Sequence, residues 1–263
     1  MILLIACEIF KPELEYLFGP GRIDGSSFQV EYLPIRAHNN SADLRRQLQE
    51  RIDGARGAYR AILLAYGLCG NAVAGLVARD IPLFIPKTHD CSHILLGSAQ
   101  HSRCFADTPS RGWVTRGNID ASQPGLTFGG DMMSYTLESL QEQYGEEEGE
   151  FIWSTIHQSD TDPLVYYIKV PETARPTDVE GAEGYAQKHG KTIQTLEGSL
   201  EVLKKLVAVG LPHQNATEDE PTGNPGILEV PPRQAILNTW DNQVIKAGEP
   251  EPSQEAPSDK TPR

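Results

Sequence analysis

Short apolar runs alternate with amphipathic stretches along the first half of the chain. The apolar or alternating runs lie at 2–7, 28–33, 59–66 and 82–86. The stretches that follow them predict helices at 11–18, 42–55, 72–79 and 92–98. Continuous apolar runs are typical of parallel strands covered on both faces. The repeated strand–helix order therefore predicts an α/β fold with a mainly parallel sheet flanked by helices, three-layered and Rossmann-like.

The pattern is weaker after about Cys104. It predicts strands at 165–171, 192–198 and 226–232, and helices at 132–144 and 199–207. A flexible loop is expected at 214–225. Residues 246–263 hold many Pro, Glu and Ser and few apolar side chains, which predicts a disordered tail. We therefore expect a single α/β domain over 1–245.

Composition and charge exclude several classes of protein. The chain has 263 residues, a net charge of −13 and an isoelectric point near 5.0, which argues against a nucleic-acid partner. No apolar run approaches the roughly 20 residues that span a bilayer, and the N-terminus does not resemble a signal peptide. We expect a cytoplasmic protein that acts on a small molecule, in a compartment where thiols stay reduced.

Three of the four cysteines each follow a predicted strand and begin a helical stretch. They are Cys7, Cys69 and Cys91. Loops that leave the carboxyl ends of parallel strands meet at one edge of the sheet, so we expect these thiols in one crevice. Clustered thiols bind soft metals or perform sulfur chemistry. The alternative is that each cysteine packs in the core as a small apolar side chain.

Cys69 carries the strongest local signal, because it lies in the glycine-rich turn GLCGN. Glycines permit positive φ angles and close backbone approach. A thiol in such a turn faces backbone N–H groups and a helix N-terminus, which favour the thiolate. We predict that Gly67, Gly70 and Asn71 bind the cofactor. A tight turn in which Cys69 only packs remains the alternative.

Polar residues surround Cys91 in the segment KTHDCSH. Lys87, His89 and Asp90 are predicted to position charge or protons. His89 is also a possible ligand, and Asp90 is equally well explained as a helix cap. His93 ranks below His89 because it lies inside the helix.

Other candidates flank the predicted sheet edge. His38, after the second strand, is the predicted fourth metal ligand, and Tyr66 is predicted to bind substrate or to pack in the core. Glu8 is an oxygen ligand, a base or a favourable charge at a helix N-terminus. His101 and Cys104 form only a weak metal-binding pair. The chain has no Walker loop, GxGxxG, CxxC or HExxH motif, which disfavours nucleotide binding.

The segments YGLCGN and PLFIPKTHDCSHILLGS resemble a prokaryotic family catalogued as domain of unknown function 1638. ACEIFKPEL, RAHN, TLEGSLEVLKKLV and ILEVPP are similar to it as well, so the resemblance covers about 1–236. It implies that Cys7, Cys69 and Cys91 form one site. Relatives often have Arg or Lys beside the HDC loop, where this chain has Lys87. They often have a glycine after the first cysteine, where this chain has Glu8. Corrinoid-dependent methyltransferase systems are often encoded nearby, which implies a corrinoid protein or methyltransferase as partner.

Three functions are compatible with these residues. The favoured one is a metal–thiolate enzyme, with Zn²⁺ held by three thiolates and by His38 or an exogenous ligand. Its fourth position would bind a substrate thiol or accept a methyl group. The second is an iron–sulfur protein that passes electrons or handles a cofactor. The third is an accessory module without catalysis.

Overall fold

Two mostly parallel sheets organise the chain in a computed structural model, which describes residues 1–55, 57, 59–105, 112–121, 137, 141, 145–158, 163–188, 190–211 and 225–250. The strands are β1 (Ile2–Cys7), β2 (Phe28–Leu33), β3 (Ala61–Ala65), β4 (Leu83–Pro86), β5 (Gly112–Val114), β6 (Leu164–Lys169), β7 (Thr192–Glu197), β8 (Ile227–Val230), β9 (Ala235–Asn238) and β10 (Ile245–Gly248). The helices are α1 (Lys11–Leu17), α2 (Ser41–Gly54), α3 (Cys91–Phe105), α4 (Arg116–Ala121), α5 (Glu146–Gln158), α6 (Pro176–Lys188) and α7 (Glu201–Val209). Short 3-10 turns span Glu8–Phe10, Gly25–Ser27 and Ile35–Asn39.

The first sheet has the strand order β2-β1-β3-β4-β8. Its first four strands are parallel, and β8 pairs antiparallel with β4 at the edge. Every residue of β1 and β3 is buried, as the continuous apolar runs predict. The chain moves from β1 to β2 on one side and then returns to β3 on the other. The strand order thus reverses between β1 and β3, which is where open α/β sheets bind ligands.

The second sheet contains β5, β6 and β7, all parallel. It shares one hydrophobic core with the first sheet, because Phe105, Trp113 and Tyr166 belong to the same buried cluster as β1 and β3. Helices cover both sides of the sheet arrangement. The predicted α/β fold, mainly parallel and flanked by helices, is therefore confirmed. None of the described helices combines the length and apolar character that a membrane crossing needs.

Side chains cap two of the helices, and the cap at Asp90 confirms a prediction from the sequence. The Asp43 amide donates to the Asn40 side chain at 2.9 Å at the start of α2. The His93 amide donates to the Asp90 carboxylate, also at 2.9 Å, at the start of α3. Both caps satisfy an amide that the first helical turn leaves without a partner.

The helix predicted at 72–79 is wrong. Gly75 adopts a left-handed φ of 86°, and its amide donates to the Ile236 carbonyl at 2.7 Å. The Ala78 amide donates to the Gln234 carbonyl at 2.8 Å, and Val77 forms an antiparallel bridge with Ala235. These amides bind the β9–β10 hairpin and are therefore not available for bonds within a helix.

The boundary predicted for the disordered tail is also wrong at its start. β10 pairs with β9 from Ile245↔Asn238 to Gly248↔Ala235, so residues 246–248 belong to a strand. Its sequence IKAG is too short and too polar to produce an apolar pattern. Residues 251–263 lie outside the described part of the chain. So do almost all of the helix predicted at 132–144 and of the loop predicted at 214–225.

Candidate metal centre

The three cysteines and His38 lie together at the point where the strand order reverses. Cys7 is the last residue of β1, Cys69 follows β3 by a short turn, and Cys91 begins α3 after β4. Cys7 and Cys91 are 1 % and 2 % exposed, whereas Cys69 is partly exposed. Cys7, Cys69 and Cys91 are free thiols.

Cys7, His38 and Cys91 form a compact group of potential ligands. One ligand atom from each of these residues lies within 4.8 Å of the others. Around a tetrahedral zinc ion with bonds of about 2.0–2.3 Å, neighbouring ligand atoms lie roughly 3.3–3.8 Å apart. Small side-chain rotations are therefore enough to bring these atoms into contact with one metal ion.

His38 is oriented by its own 3-10 turn. Its Nδ1 lies 3.0 Å from the Ile35 carbonyl, which can only accept, so Nδ1 carries a proton. Its Nε2 is buried and has no hydrogen-bond partner among the described residues. The ring also stacks on Tyr66, with centroids 5.8 Å apart. A histidine fixed through Nδ1 in this way presents Nε2 to a metal.

Cys69 lies beside this compact group. Its side chain is in contact with those of Cys91 and His38. Cys69, Gly70 and Asn71 have φ angles of 47°, 62° and 65°, so three successive residues are left-handed. A left-handed non-glycine residue costs on the order of 1–3 kcal/mol and persists only where its surroundings hold it. The turn that carries Cys69 is therefore a strained one.

Neighbouring side chains hold the turn in place. Arg45 donates to the Asn71 carbonyl at 2.6 Å, and Asn238 donates to the Asn71 side-chain oxygen at 2.6 Å. A Cβ added to Gly67 would lie 2.6 Å from the Asp90 backbone. These contacts give Gly67 and Asn71 a role in packing the two loops together. Cofactor binding by Gly67, Gly70 and Asn71 stays a prediction.

The thiols and the imidazole shift one another's protonation. Contact with Cys91 and then His38 lowers the pKa of Cys69 to about 6. Burial opposes ionisation of Cys7, but its hydrogen bond with Cys91 and the charge of His38 bring the pKa below its usual value. Hydrogen bonding with Cys69 and with Cys7, together with burial, raises the pKa of Cys91 well above the usual range.

His38 carries the compensating positive charge. Burial would lower its pKa, but the charge of Cys7 and the contact with Cys69 raise the pKa to about 9. At neutral pH the metal-free cluster thus holds a thiolate at Cys69 and an imidazolium at His38. A metal ion would replace the proton on Nε2 of His38, while the proton on Nδ1 stays hydrogen-bonded to the Ile35 carbonyl. Soft anionic sulfurs next to an exchangeable proton suit a borderline-soft cation.

His93 has both ring nitrogens engaged. Nδ1 accepts from the His89 amide at 3.2 Å, and Nε2 lies 2.8 Å from the Ser98 hydroxyl. Burial lowers the pKa of His93 to about 3, so the ring is neutral. His93 therefore supports the fold of the loop. His89, which ranked above it in the sequence, is exposed and stacks on His93 at 5.5 Å.

His101 joins this group, although the sequence analysis predicted only a weak metal-binding pair with Cys104. It stacks on His93, with centroids 4.4 Å apart, and its Nε2 lies 3.7 Å from the Asp90 carboxylate. Burial would raise the pKa of Asp90, but His101 and Ser92 lower the pKa to about 2. Asp90 thus caps α3 and also faces a histidine, the two roles that the sequence offered as alternatives.

A break in α3 explains why His101 was missed. Gly97 has φ 69° and ψ 162°, which interrupts the helix and turns its second half back over His93. A glycine inside an apolar helical pattern is the only sequence signal of such a break, and it is a weak one. Cys104, at the end of the helix, is partly buried against the hydrophobic core.

The remaining candidates have clear positions. Tyr66 is fully buried, and none of the described residues hydrogen-bonds to its hydroxyl. Burial, followed by the charges of Cys7 and the other two thiols, raises its pKa well above the usual value. The Lys87 amide donates to the Gly226 carbonyl at 3.0 Å, next to the edge strand β8. Glu8 starts the 3-10 turn after β1. Catalytic roles for Tyr66, Lys87, His89 and Asp90 stay predictions.

Comparison with known proteins gives one match. No curated protein and no solved structure is significantly similar to the chain. The profile of one family matches residues 32–207, more than half of the chain and a range that contains His38, Cys69 and Cys91 but begins after Cys7. The chain therefore belongs to the family described as "Protein of unknown function (DUF1638)".

Proposed function

We propose that Cys7, Cys69, Cys91 and His38 bind one zinc ion, and that this centre serves sulfur chemistry on a small thiol. The observation that carries the proposal is the compact group of Cys7, His38 and Cys91, whose ligand atoms lie within 4.8 Å of one another. The buried Nε2 of His38, for which the described part of the chain offers no hydrogen-bond partner, gives independent support. Zinc prefers tetrahedral sets of sulfur and nitrogen ligands, which these four side chains supply.

The chemistry follows from the ligand set. Cation binding holds the thiols deprotonated and lowers the pKa of any further thiol that reaches the centre. A thiolate formed in this way is a nucleophile at neutral pH. Asp90 directly precedes Cys91 in the chain, and its carboxylate lies 3.7 Å from Nε2 of His101. We expect the protein to act in the cytoplasm, where its thiols stay reduced.

Methyl transfer to a thiol is a more specific form of this proposal. A zinc-activated thiol could accept a methyl group from a corrinoid protein or methyltransferase, the partner that the family resemblance implies. No feature of the described residues identifies the partner or the methyl group. Transfer to a thiol therefore stays a prediction, as do the roles of Lys87, His89 and Tyr66 in it.

Metal analysis of the protein purified without air tests the proposal. We expect about one zinc per chain and no visible absorbance, since zinc has no d–d transitions. His38→Ala and Cys91→Ser should each reduce the zinc content strongly, because each removes a member of the compact group. Cys104→Ser is the matched control, because it deletes a thiol at the far end of α3, and it should retain the metal.

Other outcomes favour other functions. Iron with acid-labile sulfide and a visible spectrum would show that the centre is an iron–sulfur cluster and not a zinc site. A protein that contains no metal, whose four thiols are all alkylated at equal rates, would contradict the metal centre. That result would leave the accessory role, with the cysteines as part of the core.

A further inference from the structure

The three clustered cysteines differ in how the backbone holds them. Cys7 ends a central strand and Cys91 begins a helix, and both are buried. Cys69 lies on a left-handed turn and is partly exposed. Two of the sulfurs are thus fixed by regular structure inside the protein, while the third comes from a turn at the surface.

The ligand atoms show the same difference. Among the described residues, the group whose atoms all lie within 4.8 Å of one another consists of Cys7, His38 and Cys91. Cys69 contacts Cys91 and His38 from outside that group. Two sulfurs and one nitrogen make a complete set of three protein ligands, the number that catalytic zinc sites use, whereas structural sites use four.

We propose that Cys69 is an exchangeable fourth ligand, which an external small thiol replaces at the metal held by Cys7, His38 and Cys91. This inference rests on the zinc centre proposed above. In the exchange, the bond between the metal and the Cys69 sulfur breaks and a bond to the incoming sulfur forms. The proton of the incoming thiol passes to the Cys69 sulfur, so that atoms and charge balance.

The surroundings of Cys69 permit this exchange without movement of the backbone. Its amide stays bound to the His89 carbonyl at 2.8 Å, and Arg45 holds the next part of the turn through the Asn71 carbonyl at 2.6 Å. Rotation about the Cα–Cβ bond of Cys69 is therefore sufficient to withdraw its sulfur. Gly70, exposed beside it, has no side chain to obstruct entry.

A thiol fits the vacated position better than water does. The position is one that a sulfur occupies in the resting arrangement, and a soft donor there matches the two remaining sulfurs. Exchange of thiolate for thiolate leaves the charge of the centre unchanged, whereas water would raise it by one. In a buried cluster such a change of charge is unfavourable. The chemical class that the site selects is therefore a small thiol.

Cobalt substitution tests the proposal, because Co²⁺ reports each thiolate ligand by its charge-transfer absorbance. We expect wild-type protein, Cys69→Ser and Cys69→Ala each to bind one Co²⁺ per chain. In both Cys69 variants the thiolate absorbance should fall by about one third, since two of three sulfur ligands remain. Added 2-mercaptoethanol should restore that absorbance in the variants. Cys91→Ser should lose the metal, and Cys104→Ser should behave as wild type.

The outcomes separate this inference from the metal centre itself. Absence of Co²⁺ from the wild-type protein would overturn the zinc centre and the exchange together. Binding by the wild type with complete loss in both Cys69 variants would keep the centre but make Cys69 a permanent ligand, which overturns the exchange. Unchanged absorbance in the variants, or no response to 2-mercaptoethanol, would overturn it as well.

Discussion

The amide of Cys69 donates a 2.8 Å hydrogen bond to the carbonyl of His89. The preceding residue repeats the pattern, with the Leu68 amide bound to the Thr88 carbonyl at 2.8 Å. These bonds pair the loops that follow β3 and β4 beyond the ends of the strands. The distance between Cys69 and Cys91 is therefore set by backbone pairing and not by the side chains alone.

Gly67 makes this pairing possible, and Gly67→Ala should disrupt it. The added Cβ would lie 2.6 Å from the Asp90 backbone, which cannot yield as a side chain does. We expect the free energy of unfolding to fall by about 1–3 kcal/mol, the usual cost of overpacking. Zinc affinity should fall as well, because Cys69 moves away from Cys91. Urea unfolding and a competitive zinc titration measure the two effects.

Gly184→Ala is the matched control for Gly67→Ala. Gly184 is exposed on α6, and a Cβ there meets nothing within 4 Å. Alanine favours the helix by up to about 1 kcal/mol, so this variant should be as stable as the wild type or more stable. Equal stability of Gly67→Ala and Gly184→Ala would contradict the close approach of the two loops.

The break in α3 predicts a second sensitive glycine. At φ 69° and ψ 162°, Gly97 occupies a region of the Ramachandran plot that residues with a Cβ atom avoid. Gly97→Ala should cost on the order of 1–3 kcal/mol and pull His101 away from His93. Thermal unfolding measures the first effect. Changes in the imidazole NMR signals of His93 and His101 measure the second.

Gly54→Ala provides the comparison for the Gly97 variant. Gly54 ends α2 without a left-handed φ, and an added Cβ has open space. Its substitution should leave the histidine signals unchanged. Should the Gly97→Ala signals also match those of the wild type, the stacking of His101 on His93 would not depend on the break.

The sequence predicted the features of the fold and the site that depend on local patterns, and missed those that depend on contacts between distant segments. Strands β1 and β3 are continuous apolar runs because both their faces are covered, so the pattern alone located them. The convergence of Cys7, Cys69 and Cys91 follows from one further rule, that parallel strands end at a common edge. These features require no knowledge of which loops touch.

The missed features all depend on contacts between distant segments. Residues 72–79 predict a helix, but the amides of Gly75 and Ala78 bind the carbonyls of Ile236 and Gln234, more than 150 positions later. β10 is recognisable only through its partner strand, and His101 only through the bend at Gly97. A local sequence pattern does not contain these distant partners, and tertiary contacts with them override the local preference.

Tyr66 permits a test of whether its hydroxyl serves the fold or a ligand. The hydroxyl is buried and has no hydrogen-bond partner within the described ranges, which costs about 1–3 kcal/mol relative to a satisfied group. Tyr66→Phe should therefore leave the free energy of unfolding unchanged or raise it by about 1 kcal/mol. Urea unfolding at neutral pH measures this change.

Tyr59→Phe is the comparison for Tyr66→Phe. The Tyr59 hydroxyl donates to the Gln29 side chain at 2.5 Å near the surface, so its loss should change stability by less than about 0.5 kcal/mol. A loss of more than about 1 kcal/mol in Tyr66→Phe would show that the buried hydroxyl does have a partner in the folded protein. Retained stability with weaker ligand binding would instead support the predicted contact between Tyr66 and substrate.

Glu13 makes the stability of the fold depend on pH. Its side chain, on α1, is 1 % exposed and accepts a 2.9 Å hydrogen bond from the Thr173 hydroxyl. Burial raises its pKa from 4.5 to about 7, although Thr173 and Arg116 oppose the shift. Below pH 4.5 both folded and unfolded chains hold the proton, so this contribution to stability is complete. As the pH rises to about 7 the unfolded chain ionises first and the contribution is lost, at a total of about 3 kcal/mol.

Glu13→Gln should therefore remove this loss between pH 4.5 and 7. Glutamine is uncharged at every pH and can still accept the bond from Thr173, so the variant should be more stable than the wild type at pH 8, by up to about 3 kcal/mol. Urea unfolding across this pH range measures the difference. Glu15→Gln, on the exposed face of the same helix, should leave the pH profile of the wild type unchanged. If Glu13→Gln keeps the slope of the wild type, the buried carboxyl is ionised in the folded protein at neutral pH, and Arg116 outweighs the effect of burial.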